Sequence, residues 1–377
     1  MKVQITNGMF MALIINMIYP KAIGLTQGSM AREVGGDIWI STFIAVIQGI
    51  VIMYLVVFVI MRYPNGDLID QSSLLLGKYF GKFIALFIFL FFLGAYGSIM
   101  ATLVYHLKDY FLPDAPILLF IFVAFLLGAY AIHFGVEVIA RMALIGVFSI
   151  IILNILLLMG SIGEFDIREL QPTFQSGFLE ATWASRHHNT DWALATMMAT
   201  IILPLVKENK SWKMSTFASI VYSGLFILMW PIIEVGVLTP EVVAQYIISC
   251  MQMARSAEIG LFIHRYEMIM IAFFATSALI QIMISLLCSS VALQKIIGLK
   301  DYRPVIIPTC LILSGFGYWV VFDHHRAVYF IENTWVILSL SIAVGLPLLL
   351  LVLGWVFKKK LNQKKSEKET ELQTNSN

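Results

Sequence analysis

The sequence predicts an all-α integral membrane protein with about ten transmembrane helices. Of its 377 residues, 59% are hydrophobic and only 13% are charged, and the mean hydropathy is +0.86. Soluble globular domains carry about 25% charged residues, so this composition excludes an ordinary soluble protein. Ten windows are apolar and long enough to cross a bilayer, and their connections alternate between basic-rich and basic-poor.

The ten windows divide the chain into one membrane domain and a polar tail. By residue number, the predicted spans are 6–31, 38–61, 80–107, 115–133, 139–160, 183–206, 214–237, 259–292, 304–322 and 334–357. Most of the 25 basic residues lie on the side that holds the two termini. Because cytoplasmic loops are enriched in lysine and arginine, both termini are predicted to be cytoplasmic. Residues 1–357 therefore form the transmembrane domain, and the lysine-rich segment 358–377 is predicted to be a disordered cytoplasmic tail.

The first span is interrupted by the run Tyr19, Pro20, Lys21, Ala22 and Ile23. Proline removes a backbone donor and clashes with the preceding turn, so the helix should kink or break there. Lipid cannot satisfy the freed backbone groups, so the break should face protein or a water-filled cavity.

The charge within this break suggests a ligand site. Lys21 lies about 22 Å along a helix that starts near residue 6, which places it within the bilayer. A charge at that depth costs at least about 2.5 kcal/mol and is a functional hypothesis by default. We predict that the break binds a ligand and that Lys21 meets an anionic group. The alternative is a lysine that snorkels to the headgroups or pairs with a nearby acid.

The sixth span is polar at a matching depth. Its first part contains Asn189, Thr190 and Asp191, and Asp191 lies about 22 Å from the cytoplasmic end of the span. Segments one and six occupy corresponding positions in two five-helix halves, and discontinuous helices at such positions are typical of transporter binding sites. We therefore predict that this stretch contacts a ligand. A Lys21–Asp191 pair without any ligand is the alternative.

Two further spans carry polar groups near mid-membrane. The eighth span contains Thr276, Ser277 and Gln281 at helical spacing, which suits either a pocket or hydrogen bonds between helices. In the third span, Tyr96 lies between two glycines and is a candidate pocket residue. From the residues alone, both interpretations remain open.

A short outer segment is predicted to cover the entrance. Residues 239–241 (TPE) have the pattern of a helix start, with proline at the first helical position and an acid in the first turn. Apolar residues then share one helical face: Val242, Val243, Tyr246, Ile247, Cys250, Met251 and Ala254. We predict one amphipathic helix here, lying in the membrane interface or lidding the entrance.

The sequence gives little support for catalysis, cofactors or metals. It contains no phosphate-binding loop, no nucleophile–base arrangement and no acid–base pair, so we expect neither an enzyme nor a cofactor. His187, His188 and Asp191 share a helical face and, with residues 323–325 (DHH), could ligate zinc. Solvated histidines at an interface are the simpler interpretation. The cysteines Cys250, Cys288 and Cys310 have no paired spacing, so no disulfide framework is expected.

Several ordered blocks of the chain are characteristic. They are residues 30–41 (MAREVGGDIWIS), 62–64 (RYP), 76–82 (LGKYFGK), 129–131 (AYA), 135–141 (GVEVIAR), 265–267 (RYE) and 298–304 (GLKDYRP). Together they resemble the spore germination receptor B-subunit (GerB) family of the amino acid–polyamine–organocation superfamily. Each block alone is weak evidence, but their order and spacing are specific, and the similarity runs from about residue 5 to 357.

The resemblance implies a fold, a location and partners. It implies a LeuT-like 5+5 inverted repeat with broken helices one and six, in the inner membrane of a dormant spore. It also implies assembly with a receptor A subunit and a lipoprotein C subunit to sense a small nutrient germinant such as an amino acid or nucleoside. The family pocket, among helices one, three, six and eight, maps here to the break at 20–23, Tyr96, Met100, the stretch from Asn189 to Ala195, Ser277 and Gln281.

The chain departs from the family pattern at two places. Pro20-Lys21-Ala22 replaces the usual glycine-containing break, and Leu194-Ala195 stands where Gly-Glu is common, with Asp191 one turn earlier. Either the carboxylate has moved or this member recognises a different ligand. The leading prediction is a germinant-receptor subunit. The main alternative is a proton-coupled amino-acid permease in which Lys21 or Asp191 titrates, and a nutrient-gated ion channel is compatible with the receptor.

Overall fold

A computed structural model describes residues 5–207, 209–257 and 266–357, apart from the side chains of Lys21, Asn209 and Tyr266. The predicted tail at 358–377 lies outside the described residues. In these three ranges the chain is helical, and the only β pairing is a single bridge between Ile5 and Val206. The predicted all-α class is therefore confirmed for the part of the chain that the structure describes.

The first half of the described chain contains eight α-helices. They are α1 (Asn7–Ile18), α2 (Thr26–Val34), α3 (Ile38–Met61), α4 (Leu68–Leu76), α5 (Lys78–Tyr110), α6 (Ile117–Phe134), α7 (Val136–Ser161) and α8 (Phe178–Ala184). The second half contains α9 (Arg186–Ile202), α10 (Trp212–Leu238), α11 (Pro240–Gln245), α12 (Ser249–Ser256), α13 (Tyr266–Ile297), α14 (Ile306–Phe322), α15 (His324–Tyr329) and α16 (Trp335–Val356).

Eight helical stretches of the described chain are long and apolar enough to cross a membrane. They coincide with the predicted spans two to five and seven to ten. Large apolar side chains such as Phe148 and Trp355 are exposed on their outer faces, which suits contact with lipid. The protein is an integral membrane protein. The predicted total of ten spans stays a prediction, because spans one and six consist of shorter helices.

The two shorter segments lie at the centre of the bundle. In α9 every residue from His187 to Ile202 is buried, and in α1 every residue from Ala12 to Ile18 is buried. Helix α1 packs against α7, α9, α10 and α13, and α9 packs against α3 and α16. The longer helices therefore separate these segments from lipid, as the break in the first span requires.

The interruption in the first span is where proline predicts it, and the one in the sixth span lies near the start of the polar residues 183–192. Helix α1 ends at Ile18, and a 3₁₀ turn at Tyr19–Ile23 leads into α2. In the sixth span the interruption falls at Ser185, between α8 and α9. Asn189, Thr190 and Asp191 therefore lie inside a continuous helix.

One end of the bundle carries α8, α11, α12 and α15, and we call it the lid end. The predicted single helix after residue 239 is wrong, because α11 ends at Gln245 and α12 begins at Ser249. Tyr246 has extended backbone angles, and its carbonyl packs directly against Gly28 of α2. This tertiary contact overrides the helical pattern, and it leaves Tyr246 and Ile247 38% exposed instead of buried on one face.

Candidate functional site

The break in the first span is held by side chains from neighbouring helices. The carbonyl oxygen of Ile23 accepts hydrogen bonds from Nε2 of His106 (2.5 Å) and from Sγ of Cys250 (3.2 Å). One turn before the break, the carbonyl of Met17 accepts a bond from Nε2 of Gln281 at 2.6 Å. Buried backbone groups need such partners, so α5, α12 and α13 together stabilise the non-α-helical turn.

Asn16 joins α1 to two other helices just below the break. Its Nδ2 donates to the carbonyl oxygens of Ala12 (2.8 Å) and of Ala143 in α7 (2.9 Å). Its Oδ1 accepts a bond from Oγ of Ser277 in α13 at 2.8 Å. Sequence reasoning missed Asn16, His106 and Cys250. The signal for the first two was a polar group in an otherwise apolar window, which is a functional hypothesis by default.

A small polar cavity lies beside the break, and we call it the central cavity. It is lined by Pro20, Gly24, Leu25, Thr26, Ser98, Ile99, Thr102, Asp191, Phe274, Ala278, Gln281 and Ile331. These residues come from the first, third, sixth and eighth spans, which are the spans predicted to form the pocket, and from the turn before α16. The cavity volume is about 30 Å³, and a water needs about 10–15 Å³. In this conformation the cavity admits water and is too small for a nutrient.

Three of the predicted ligand residues line the central cavity: Pro20, Asp191 and Gln281. The side chain of Lys21 lies outside the described part of the structure. Tyr19 turns towards α7 and α10, where its hydroxyl donates to Oδ1 of Asn154 at 3.3 Å and its ring packs edge-on against Trp230.

Tyr96 and Met100 pack against α14 rather than the cavity. The hydroxyl of Tyr96 lies 3.1 Å from Oγ of Ser314, and both side chains approach Gly317. The same helix presents Ser98, Ile99 and Thr102 to the cavity instead. Residues two apart in a helix lie about 200° apart, so Tyr96 and Ser98 must face opposite sides.

The other predicted ligand residues are buried near the cavity without lining it. Nδ2 of Asn189 donates to Oε1 of Gln48, and Oγ1 of Thr190 donates to the carbonyl of His187 at 2.9 Å. Ala22 and Ala195 are fully buried. Oγ of Ser277 donates to Oδ1 of Asn16 and so joins α13 to α1. The ligand roles of all these residues stay predictions.

Polar ties fix α2 at the lid end. Glu33 forms a two-armed ion pair with Arg186 at the start of α9, with N–O distances of 2.6 and 2.7 Å, and Oε1 of Glu33 lies 3.0 Å from Nε2 of His187. Arg32 reaches Glu332 (2.8 Å) and the carbonyl of Ala244 in α11 (3.3 Å). We call these contacts the lid ties. They hold α2, the second helix of the broken first span, over the central cavity.

Nothing in the described residues groups three or more histidine, cysteine, aspartate or glutamate side chains in a metal-binding arrangement. His187 contacts Glu33 instead.

A family model described as "Spore germination protein" matches residues 4–320. The chain belongs to this family. The match agrees with the resemblance that the sequence blocks predicted. Among curated members of the spore germination protein family, the chain is similar to YndE of Bacillus subtilis (strain 168), with 23% identity over 357 residues that cover 93% of this chain and 96% of YndE. It is also similar to GerQB of Bacillus cereus, with 27% identity over 332 residues that cover 85% of this chain and 88% of GerQB.

The fold of this family member resembles that of a solved membrane protein. The structure of MhsT in complex with L-phenylalanine matches with a TM-score of 0.65 and 15% identity, and the match covers 94% of this chain and 90% of MhsT. The predicted LeuT-type transporter fold is thereby confirmed. At this identity the similarity speaks for the fold alone.

Proposed function

We propose that this chain is the B subunit of a spore nutrient-germinant receptor and that it binds a small nutrient at the central cavity. One observation carries this proposal: in a member of the spore germination protein family, the polar cavity lies at the helix break of a transporter-type fold. Such breaks place backbone groups and helix ends against ligands. Binding and signalling, rather than catalysis, are therefore the proposed activities.

The chemistry of the cavity favours a ligand with hydrogen-bonding groups and a cationic end. Asp191 supplies a carboxylate, the hydroxyl groups of Ser98, Thr102 and Thr26 line the walls, and Gln281 adds an amide. An amino acid or a nucleoside could use such a set. The predicted role of Lys21, to meet an anionic group, remains part of this proposal.

Ligand entry has to change the conformation of the lid end. The central cavity of about 30 Å³ cannot hold an amino acid, so the ligand must stabilise a state in which the cavity is larger. The lid ties join α2 to α9, α11 and the turn before α16, so movement of α2 would reach three other elements. That movement is the proposed signal to the partner subunits.

The remaining features of the proposal rest on the family and on charge. We place the protein in the spore inner membrane with a receptor A subunit and a lipoprotein C subunit, ten spans, a 5+5 inverted repeat and both termini in the cytoplasm. The excess of basic residues on the side of the termini supports that orientation. The lid end then faces outwards, where a nutrient arrives.

Germination of spores that carry variants of this gene tests the proposal. Spores without the gene should lose their response to one nutrient class in a panel of amino acids and nucleosides, and wild-type protein should restore it. Asp191→Asn should raise the nutrient concentration for half-maximal germination at least about tenfold, because a charged hydrogen-bond partner is lost. Asp114→Asn, at an exposed position outside the central cavity, is the matched control. An unchanged response of the Asp191 variant at normal protein level would contradict a ligand at this cavity.

A proton-coupled amino-acid permease is the second candidate. The observation in its favour is that Asp191 lines a cavity in a fold similar to that of MhsT, which was solved with a bound amino acid. Substrate uptake into vesicles that contain only this chain would support the permease. A nutrient response that depends on the A and C subunits, without uptake, would support the receptor.

A further inference from the structure

A second cavity opens at the lid end, and we call it the vestibule. Its volume is about 350 Å³, compared with about 30 Å³ for the central cavity. Small-molecule sites usually measure about 300–1,000 Å³, so the vestibule reaches that range and the central cavity does not. It is lined by Leu25, Tyr105, Asp109, Tyr110, Gln245, Tyr246, Ile247, Ile248 and His324.

The floor of the vestibule is apolar and separates it from the central cavity. Leu25 and Ile248 are 2% and 4% exposed, and Tyr105 beside them is also buried. Leu25 lines both cavities. An apolar group that enters the vestibule would therefore rest on Leu25 and Ile248.

The rim of the vestibule carries a carboxylate and three tyrosines. Asp109 is exposed, and its carboxylate interacts electrostatically with His324 and Lys108, although no described residue forms a hydrogen bond or an ion pair with it. The hydroxyl of Tyr105 donates to the carbonyl of Val321 at 2.9 Å, which fixes its ring in the wall. Tyr110 already holds a cation, since the guanidinium of Arg255 lies 4.9 Å from its ring centre. The ring of Tyr105 packs against His324 with 4.7 Å between ring centres, so both rings already have partners, and the carboxylate of Asp109 is the group that favours a positive ligand.

We propose that the vestibule is a separate binding site for a ligand with a primary ammonium group and a compact apolar body. The ammonium group would donate to the carboxylate of Asp109. The apolar body would cover Leu25 and Ile248. An amine or a hydrophobic amino acid has this chemistry.

A ligand in the vestibule touches the segment that leans on the broken helix. The carbonyl of Tyr246 is so close to Gly28 that a Cβ on Gly28 would lie 2.1 Å from it. Two residues past Ile248, Cys250 donates to the carbonyl of Ile23 within the break. Displacement of residues 246–248 by a ligand is therefore transmitted to both α2 and the 3₁₀ turn.

Protection of an introduced cysteine tests this site directly. The three natural cysteines are buried, so a cysteine at the exposed rim position Gln245 can be labelled selectively by a charged thiol reagent. The full chain carrying Gln245→Cys, in lipid nanodiscs, would be labelled in the presence of phenethylamine or of 3-phenylpropanoate. Asp114→Cys, exposed but outside the vestibule, is the matched control. Thermal melting of each variant checks that it folds.

Phenethylamine should slow labelling of Gln245→Cys and leave Asp114→Cys unchanged, and 3-phenylpropanoate should protect neither. Adding Asp109→Asn should raise the protecting concentration at least about tenfold. Absence of protection, equal protection by the carboxylate, or no effect of Asp109→Asn in a folded variant would each overturn the proposal. The site does not depend on the proposed function: a failed protection assay with a normal Asp191-dependent germination response removes the vestibule site alone.

Discussion

Gly28→Ala should separate α2 from the segment between α11 and α12. Gly28 is the third residue of α2, and its α-carbon faces the backbone of Tyr246. A Cβ there would lie 2.1 Å from the carbonyl oxygen and 3.3 Å from the carbonyl carbon. The nearest atom belongs to the backbone, so no side-chain rotation relieves the clash.

The expected loss of stability follows from that distance. Ordinary contact begins at 3.4 Å, so the two segments must move apart by about 1.3 Å (3.4 minus 2.1). Overpacking of this kind costs about 1–3 kcal/mol. Alanine is favoured over glycine within a helix by about 0.5–1 kcal/mol, which offsets part of the loss. With the middle of each range, the net destabilisation should be about 1 kcal/mol.

Thermal melting of the purified chain in one detergent measures this effect. Gly345→Ala in α16 is the matched control, because nothing lies within 4 Å of the new Cβ and the variant should melt at or above the wild-type temperature. Gly28→Ala should melt a few degrees lower, and germination should respond to nutrient at a changed concentration. A melting temperature equal to that of the control would refute the close approach of α2 to Tyr246.

Three further tests, which use five substitutions, examine the break and the lid ties. Asn16→Ala should lower the free energy of unfolding by about 2–4 kcal/mol, because three buried hydrogen bonds lose their common partner. Ser277→Ala removes one of these bonds and should cost about 1 kcal/mol. Melting the two variants side by side measures the difference. His106→Ala leaves the carbonyl at the break with a single donor and should lower the melting temperature more than His106→Gln, and equal losses would contradict this role. In Arg186→Lys, the lysine cannot form both hydrogen bonds of the ion pair with Glu33, so stability should change by less than about 1 kcal/mol. The nutrient concentration for half-maximal germination should fall. A raised concentration would count against a role of this ion pair in keeping α2 closed over the central cavity.

Much of the fold could be predicted because bilayer physics acts on local sequence. The length of the apolar windows located the long helices, and Pro20 located the first break. The sixth span shows the limit. The polar residues 183–192 did not say where the helix is interrupted; the interruption is at Ser185, and α9 is continuous at Asp191. A buried polar stretch and a broken helix are different properties, and hydropathy alone does not separate them.

The candidate site was predicted at the level of elements better than at the level of side chains. The helices around the central cavity are the expected ones, but the rotation of α5 turns Tyr96 towards α14 and Thr102 towards the cavity. That rotation depends on Gly317 and Ser314, more than 200 residues away in the chain. The split between α11 and α12 likewise depends on Gly28, a contact that no local pattern reveals.

The lid ties determine how often such a receptor is activated in the absence of nutrient. If α2 is released spontaneously, the spore would germinate without nutrient. The rate of this spontaneous germination is therefore set by the free energy that keeps α2 in place. Each tenfold drop in that rate requires about 1.4 kcal/mol, and the nutrient must supply the same amount through its preference for the released state. Glu33 and Arg32 are adjacent in one helix and bind different elements. They thus set both the rate of activation without nutrient and the nutrient concentration that activation requires.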